Sequence, residues 1–260
     1  MKIGITGSSG VLGKILTSSF SDYFNFVPFQ GDIKKRSDIS DWLNTNNLDS
    51  ILHLAAVVPT ELVKSNPLNA YDVNTSGTLN ILNEVLNLDK KPWIFYASSS
   101  HVYKSSKSPL NERDDLQPIS LYGKTKFFAD SICQDALKQT DLKICIGRIF
   151  SFYHDYQKKP FLYPSIIERL SNEDLSKPFF LEGGESIRDF LNAEDVCKII
   201  IKLMLKQYIG IINIGSGKGI TIKQFVQKFS HKKITFKTNS KFDYLVADIS
   251  KLNKIIHEQS

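Results

Sequence analysis

Short apolar runs alternate along the chain with longer stretches whose apolar residues fall three and four apart. Lys2 to Thr6 form a compact β run, and Val11, Leu12, Ile15, Leu16 and Phe20 then recur at helical spacing. Gly7, Gly10 and Gly13 punctuate the turn between them. The same reading predicts a second strand over Asn25 to Phe29 and a short helix over Asp38 to Asn46 capped by Ser37. A third strand runs from Ser50 to Ala56, apolar throughout as a strand covered on both faces must be. Helical spacing continues over Asn66 to Leu88, and a β run over Pro92 to Ala97 ends in Ser98-Ser99-Ser100. A polar loop covers Lys104 to Gln117, a helix Ser120 to Lys138, and a strand Leu142 to Ile149. Strands alternating with helices of this length predict an α/β fold with a doubly wound parallel sheet, the Rossmann architecture.

From Phe150 the rhythm loosens. Pro164 to Leu170 reads as a short helix, Phe179 to Glu182 and Ile187 to Leu191 as short strands, and Ala193 to Lys206 as a helix. Gly210 to Gly215 follows as a strand and Thr221 to Phe229 as a last helix. The expected division is a Rossmann domain over residues 1–150 and a small C-terminal lobe over 151–260, partly interleaved with the sheet.

Composition narrows the function classes. The 260 residues suffice for one large domain with a sizeable core, and 42% apolar with 23% charged residues is ordinary for a globular protein. Cys133, Cys145 and Cys197 are scattered and odd in number, which speaks for a reducing compartment and against disulfides or a zinc site. Met1 leads straight into the first strand, leaving no room for a signal peptide. The most apolar stretch, around Ile199 to Leu205, is too short and too lysine-interrupted to span a bilayer. A cytoplasmic protein without a membrane partner is expected. The net charge of +6 is spread out, with one compact run at Lys34-Lys35-Arg36. No basic helix or aromatic-interleaved patch points to nucleic acid, whereas a mild positive bias suits small anionic ligands.

A strand, a glycine turn and a helix starting at that turn make an anion site, because the helix N-terminus offers unpaired N–H groups and the positive end of its dipole. A glycine-rich turn without a ligand is the alternative. Tyr122 and Lys126 lie four apart on the helix predicted over Ser120 to Lys138, so they share a face, about 5–6 Å apart at Cβ. An ammonium beside a phenol lowers the phenol pKa from about 10, and a phenol so tuned exchanges a proton with a hydroxyl or carbonyl oxygen. Ser99, at the carboxyl end of a parallel strand, could bond the same oxygen. The alternative is an ordinary Tyr–Lys pair on a wet helix face.

Taken in order, these features resemble a known family, the extended short-chain dehydrogenase/reductases, which includes nucleotide-sugar epimerases, dehydratases and 4-keto-sugar reductases. The motifs are Thr6-Gly7-x-x-Gly10-x-x-Gly13, Gly31-Asp32-Ile33, His53-Leu54-Ala55-Ala56, Asn74 with Gly77-Thr78, the serines before Val102-Tyr103, and Tyr122-Gly123-Lys124-Thr125-Lys126. Arg148, Arg188-Asp189-Phe190 and Asn213-Ile214-Gly215-Ser216-Gly217 follow, so the resemblance covers nearly the whole chain. It implies Ser99, Tyr122 and Lys126 as catalytic residues. It implies cofactor contacts from Gly7, Gly10, Val11, Leu12, Gly13, Asp32, Ile33, Leu54, Ala55, Ala56 and Asn74, with Tyr122 and Lys126 shared. Ser100, His101 and Arg188 fall on substrate positions, Arg188 against a nucleotide diphosphate, while Arg148 is expected to support structure.

Gln30 is neutral where an NAD enzyme would carry an acid at the end of the second strand, and the cations Lys34 to Arg36 follow. The cofactor expectation therefore leans to NADP over NAD, unless those cations simply face water. Family 4,6-dehydratases carry an Asp-Glu pair after the catalytic Ser/Thr, where this chain has Ser100-His101. The expected activity is reduction of a nucleotide-linked 4-keto-6-deoxy sugar. The alternatives are a C4 epimerase with tightly held NAD and a non-catalytic dinucleotide sensor. Ser151-Phe152-Tyr153-His154-Asp155 replaces the family's common Asn-Val-Tyr-Gly-Pro run, so no sugar contacts are carried across it. A homodimer through the Ser120–Lys138 helix is the expected assembly.

Overall fold

In the computed structural model, which describes residues 1–58 and 60–257, β1 (Lys2–Thr6) is followed by the glycine turn and α1 (Val11–Ser19). β2 (Asn25–Pro28), α2 (Arg36–Asn46) and β3 (Ser50–His53) come next. α3 (Thr60–Ser65), α4 (Pro67–Tyr71), a π-helical turn over Asp72–Ser76 and α5 (Gly77–Leu86) lead to β4 (Trp93–Ser99). A 3-10 turn over Ser100–Val102 and a loop precede α6 (Leu121–Gln139) and β5 (Ile144–Ile149). The remainder is β6 (Ser151–Tyr153), α7 (Leu162–Asn172), β7 (Phe179–Leu181), β8 (Ile187–Asn192), α8 (Ala193–Leu205) and β9 (Gly210–Ile214). β10 (Gly219–Thr221), α9 (Ile222–Gln227), β11 (Phe236–Thr238), β12 (Tyr244–Leu245) and α10 (Ser250–His257) complete it.

Six strands form one parallel sheet in the order β2-β1-β3-β4-β5-β9. Strand alternation sends neighbouring residues to opposite faces, and both faces are covered, so the core strands are largely apolar. Leu52, Phe95 and Cys145 pack on one side with Leu16, Val196, Ile200 and Leu203. Ile51, Ile94 and Ile146 pack on the other with Ile39, Trp42, Ile81 and Ala129. β1 and β3 are neighbours whose chains leave in opposite directions across the sheet, and the crevice beyond their carboxyl ends is where ligands bind in such folds.

The second half both extends this sheet and builds a lobe. β9 pairs with β5, while β8 pairs with β6, β10 and β12, and β7 with β11. Residues on both sides of position 150 therefore build the large sheet. The strands of the lobe are two to six residues long.

Three local expectations are corrected. Lys35, not Ser37, precedes α2, and no side chain caps that helix; the nearby Asp38 carboxylate instead accepts from the Asp32 N–H at 2.8 Å. β3 ends at His53, because the Leu54 and Ala55 N–H groups turn onto the carbonyl and hydroxyl of Thr6. The helical stretch over Asn66 to Leu88 is broken by the wide π turn, which brings the Asn74 amide to the backbone of Val57 and the hydroxyl of Thr125.

At the carboxyl ends of β4 and β5 lies a buried polar knot. Asp130 of α6 takes Arg148 of β5 in a two-point ion pair, Nε–Oδ2 at 3.1 Å and Nη2–Oδ1 at 3.0 Å, and both side chains are excluded from solvent. Ser98 of β4 donates to Asp130 at 2.5 Å. Arg148 Nη1 reaches the Tyr103 hydroxyl, which donates to Asn213 of β9. Removing one partner of a buried pair strands the other, at a cost of about 3–5 kcal/mol. Arg148→Met is therefore expected to lose stability on that scale in urea denaturation; a midpoint close to wild type would show that the pair does not organise this edge.

Candidate active site

The glycine turn is shaped by close approach. Gly7 has φ +73°, in the left-handed region, and a Cβ there would lie 2.7 Å from the Ala55 nitrogen. A Cβ on Gly13 would lie 2.6 Å from the Ser8 Cα, so the helix and the turn touch only because it is absent. Gly10 caps α1 with no side-chain acceptor, and the first turn carries no acid. An uncapped, unneutralised helix N-terminus is an anion site.

This turn opens on a cleft of about 990 Å³ that runs over the ends of β1, β3, β4 and β5 to the lobe. Gly7, Gly10, Val11, Leu12, Gly13, Leu54, Ala55 and Ala56 line one end, and Ser99, Ser100, His101, Tyr122, Lys126 and Arg188 line its middle. Three residues expected to contact a cofactor do not line it. Asn74 is buried with its amide committed to Val57 and Thr125, so it holds the loop after β3 against α6. Ile33 is buried where a Cβ on Gly77 would meet it. Asp32 accepts from the Lys34 N–H and pairs with its ammonium at 3.7 Å. Arg36 is bonded to Glu84 at 2.6 Å, so two of the three cations after β2 already have carboxylate partners.

Ser99 is the last residue of β4, and its hydroxyl accepts from the His101 N–H at 3.2 Å. Tyr122 lies in the first turn of α6, whose start is fixed by Ser120 accepting from the Gly123 N–H. The Tyr122 phenol lies near Ser99, and both line the cleft. Burial pushes this phenol up to about 12, with the neighbouring Ser99 hydroxyl opposing, so it stays protonated at neutral pH. The expected lowering by Lys126 is thus overturned: desolvation dominates.

Burial brings Lys126 down to about 8, opposed by Cys133 and Asp130. Its ammonium lies 4.3 Å from the centre of the Tyr96 ring and has no hydrogen-bonding protein partner among the described residues. It is a cation available to a ligand hydroxyl in the cleft.

His101 stands edge-on to Tyr122, ring centres 5.9 Å apart. Burial lowers it to about 4, helped by Arg188 and opposed by Asp243, so it is a neutral donor and acceptor. Arg188 Nη2 donates to Asp243 Oδ2 at 2.5 Å, and Nη1 lies 2.5 Å from Oδ1 in an ion pair without a hydrogen bond. Burial raises the Asp243 carboxyl, but the Arg188 guanidinium and the Ser186 hydroxyl outweigh it and hold it below the ordinary carboxylate value.

At the far wall Tyr153, Tyr163, Phe190 and Phe225 line the cleft. Phe190 stacks on Phe225 at 3.8 Å and 11°, and Tyr153 meets Phe225 edge-on at 5.4 Å. Phe190 ends the Arg188-Asp189-Phe190 motif and Tyr153 lies in the run over 151–155, while nothing in the sequence marked Tyr163 or Phe225 for the wall. No group of three metal-ligating side chains occurs among the described residues, and no helix there is long and apolar enough to cross a membrane.

The family model of GDP-mannose 4,6 dehydratase matches residues 9–258. The chain is 27% identical over 274 residues to a GDP-6-deoxy-D-talose 4-dehydrogenase of Aggregatibacter actinomycetemcomitans, covering 98% of this chain and 91% of the relative. It is 27% identical over 227 residues to a UDP-glucose 4-epimerase of Lactobacillus helveticus, covering 80% and 68%. RMD from Pseudomonas aeruginosa, solved in complex with NADPH, shares the fold with a TM-score of 0.87 at 19% identity, over 98% of this chain and 92% of that one. A UDP-N-acetylglucosamine 4-epimerase from Methanobrevibacter ruminantium M1 does so with a TM-score of 0.85 at 22% identity, over 100% and 93%.

Lys126 generates a test of the site's electrostatics. Its folded pKa lies below the ordinary value of 10.5, so the buried charge costs stability below about pH 8 and the cost is relieved as pH rises from there toward 10.5. Lys126→Met is expected to be more stable than wild type at pH 7, by on the order of 2–3 kcal/mol. The gain should shrink at pH 10 in urea denaturation; a gain that does not depend on pH would contradict the assignment.

Proposed function

We propose that this chain, which belongs to the GDP-mannose 4,6-dehydratase family of extended short-chain dehydrogenase/reductases, reduces the 4-keto group of a nucleotide-linked 6-deoxy sugar. The observation that carries this reading is Tyr122 beside Ser99 at the end of β4, with no carboxylate next to them among the described residues that line the cleft. Positions 100 and 101 are a serine and a neutral histidine, and among the described residues the only acid lining the cleft is Glu61 of α3. Eliminating water needs an acid and a base at the sugar; reducing a ketone needs one proton donor. The near full-length match to a 6-deoxy-talose 4-dehydrogenase agrees with chemistry at the same carbon.

The residues present fit a nicotinamide dinucleotide. Gly7, Gly10, Gly13 and the start of α1 would hold its pyrophosphate, Leu54 to Ala56 would admit its ribose, and Lys126 would donate to the hydroxyls of the other ribose. When bound, the dinucleotide supplies the hydride. Tyr122 gives its proton to the keto oxygen, Ser99 holds that oxygen against the phenol, and Ser100 and His101 bond the flanking sugar hydroxyls. NADPH is favoured over NADH by the neutral Gln30 and by Lys35, which has no salt bridge among the described residues. A C4 epimerase would use the same three residues, and the match to UDP-glucose 4-epimerases keeps that reading as the alternative.

Two measurements test this. Given a panel of nucleotide 4-keto-6-deoxyhexoses, the protein is expected to oxidise NADPH or NADH one-for-one with sugar. Near-equimolar NAD released on denaturation, with UDP-sugar interconversion needing no added coenzyme, would establish the epimerase instead. Tyr122→Phe should lower turnover about 10²–10⁴-fold, the usual worth of a general acid, while coenzyme affinity stays within a few-fold. Gly13→Val should abolish coenzyme binding in calorimetry while the protein remains folded; retained binding would remove the glycine turn from the site.

A further inference from the structure

Arg188 and Asp243 meet at the junction of two neighbouring strands. Ile187 N–H donates to the Asp243 carbonyl at 2.9 Å, and β8 continues alongside β12 from there. The Asp243 backbone is fixed without its carboxylate, because its own N–H donates to the Ser186 hydroxyl at 3.2 Å. β8 is anchored from its other face. Asp189 there accepts from the N–H groups of Ser216, Gly217 and Ala247 and is fully buried. Residues 188 and 190 thus face the cleft from a strand that cannot roll.

The guanidinium has five N–H donors in a plane. Nη1 donates to the carbonyls of Ile187 and Asp243 and lies against Asp243 Oδ1 as an ion pair, and Nη2 donates to Asp243 Oδ2. What is left is the Nε–H and the second Nη2–H, which lie side by side on one edge. That edge matches two oxygens of a phosphate. Arg188 is 15% exposed and lines the cleft, so the spare edge has somewhere to bind.

We infer that Asp243 is a positioning residue for the substrate's diphosphate: it holds Arg188 by one edge so that the Nε–Nη2 edge is presented to phosphate. This rests on the nucleotide-sugar reading above. Two opposite effects compete. The carboxylate cancels part of the charge that attracts phosphate, yet it also immobilises a long side chain before the ligand arrives, which spares that ordering cost on binding. In a partly buried, water-poor setting the preformed fork outweighs the cancelled charge, so loss of Asp243 weakens phosphate binding.

The test is calorimetric titration of GDP, UDP and dTDP into wild type, Asp243→Asn, Arg188→Met and the double variant, with coenzyme titrated into each. Asp243→Asn keeps the side chain's shape. It is expected to weaken the best nucleoside diphosphate about tenfold, the scale of one immobilised side chain. In the Arg188→Met background the same change should matter less than about twofold, because its effect passes through Arg188. Coenzyme affinity should hold in all variants, which a merely structural loss would not allow, and Asp243→Glu should recover part of the binding. Unchanged or tighter binding by Asp243→Asn, or effects that multiply in the double variant, would overturn the role. Wild type that binds none of the three diphosphates would overturn the nucleotide-sugar reading and this role with it.

Discussion

The pairing of Asp130 with Arg148 is the constraint from which the active-site geometry follows. Neither charge can be hydrated where it lies, so each must find the other at hydrogen-bonding distance. Tyr122, Lys126 and Asp130 are four apart in succession and form one stripe of α6. Ser98 and Ser99 are consecutive on β4, one bonded to Asp130 and the next beside Tyr122 in the cleft. Fixing Asp130 against β5 therefore sets both the height and the rotation of the helix at which the phenol meets the serine. A buried ion pair is weak evidence for stability as such, because desolvation offsets much of its attraction; its value here is a single register.

Burial then decides the protonation pattern. The middle of the cleft holds a protonated phenol, a neutral imidazole and hydroxyls, with Lys126 and Arg188 bringing positive charge. His53, below them, is held between the hydroxyls of Thr6 and Thr78 and lowered to about 3 by burial and Lys126, so it adds no second cation. Such a surface presents hydroxyl and imidazole groups to polar ligands, and Glu61 is the one acid among the described residues that line the cleft.

The parts of this arrangement that rest on local period were legible. The first strand and helix, the glycine turn between them, and the 122–126 pair follow from spacing alone. The phenol's shift was read with the wrong sign because spacing reports a neighbouring charge and says nothing of how deeply both groups are buried. The π turn that commits the amide of Asn74 to Val57 and Thr125 leaves no trace in an apolar pattern. Asp243 lies 55 residues beyond Arg188, and strands as short as Tyr244–Leu245 carry no period from which their pairing could be read.

The serine run at the end of β4 has a consequence for how this chain can change in length. Ser98, Ser99 and Ser100 are the same residue three times over, yet side chains along a strand alternate between two faces, so each stands in a different place. One serves the buried knot, the next the phenol, and the third opens the 3-10 turn. A deletion or insertion upstream in β4 would leave the local spelling almost intact while exchanging those duties. The strand is thus tolerant of which small hydroxyl it carries and intolerant of how many residues precede it.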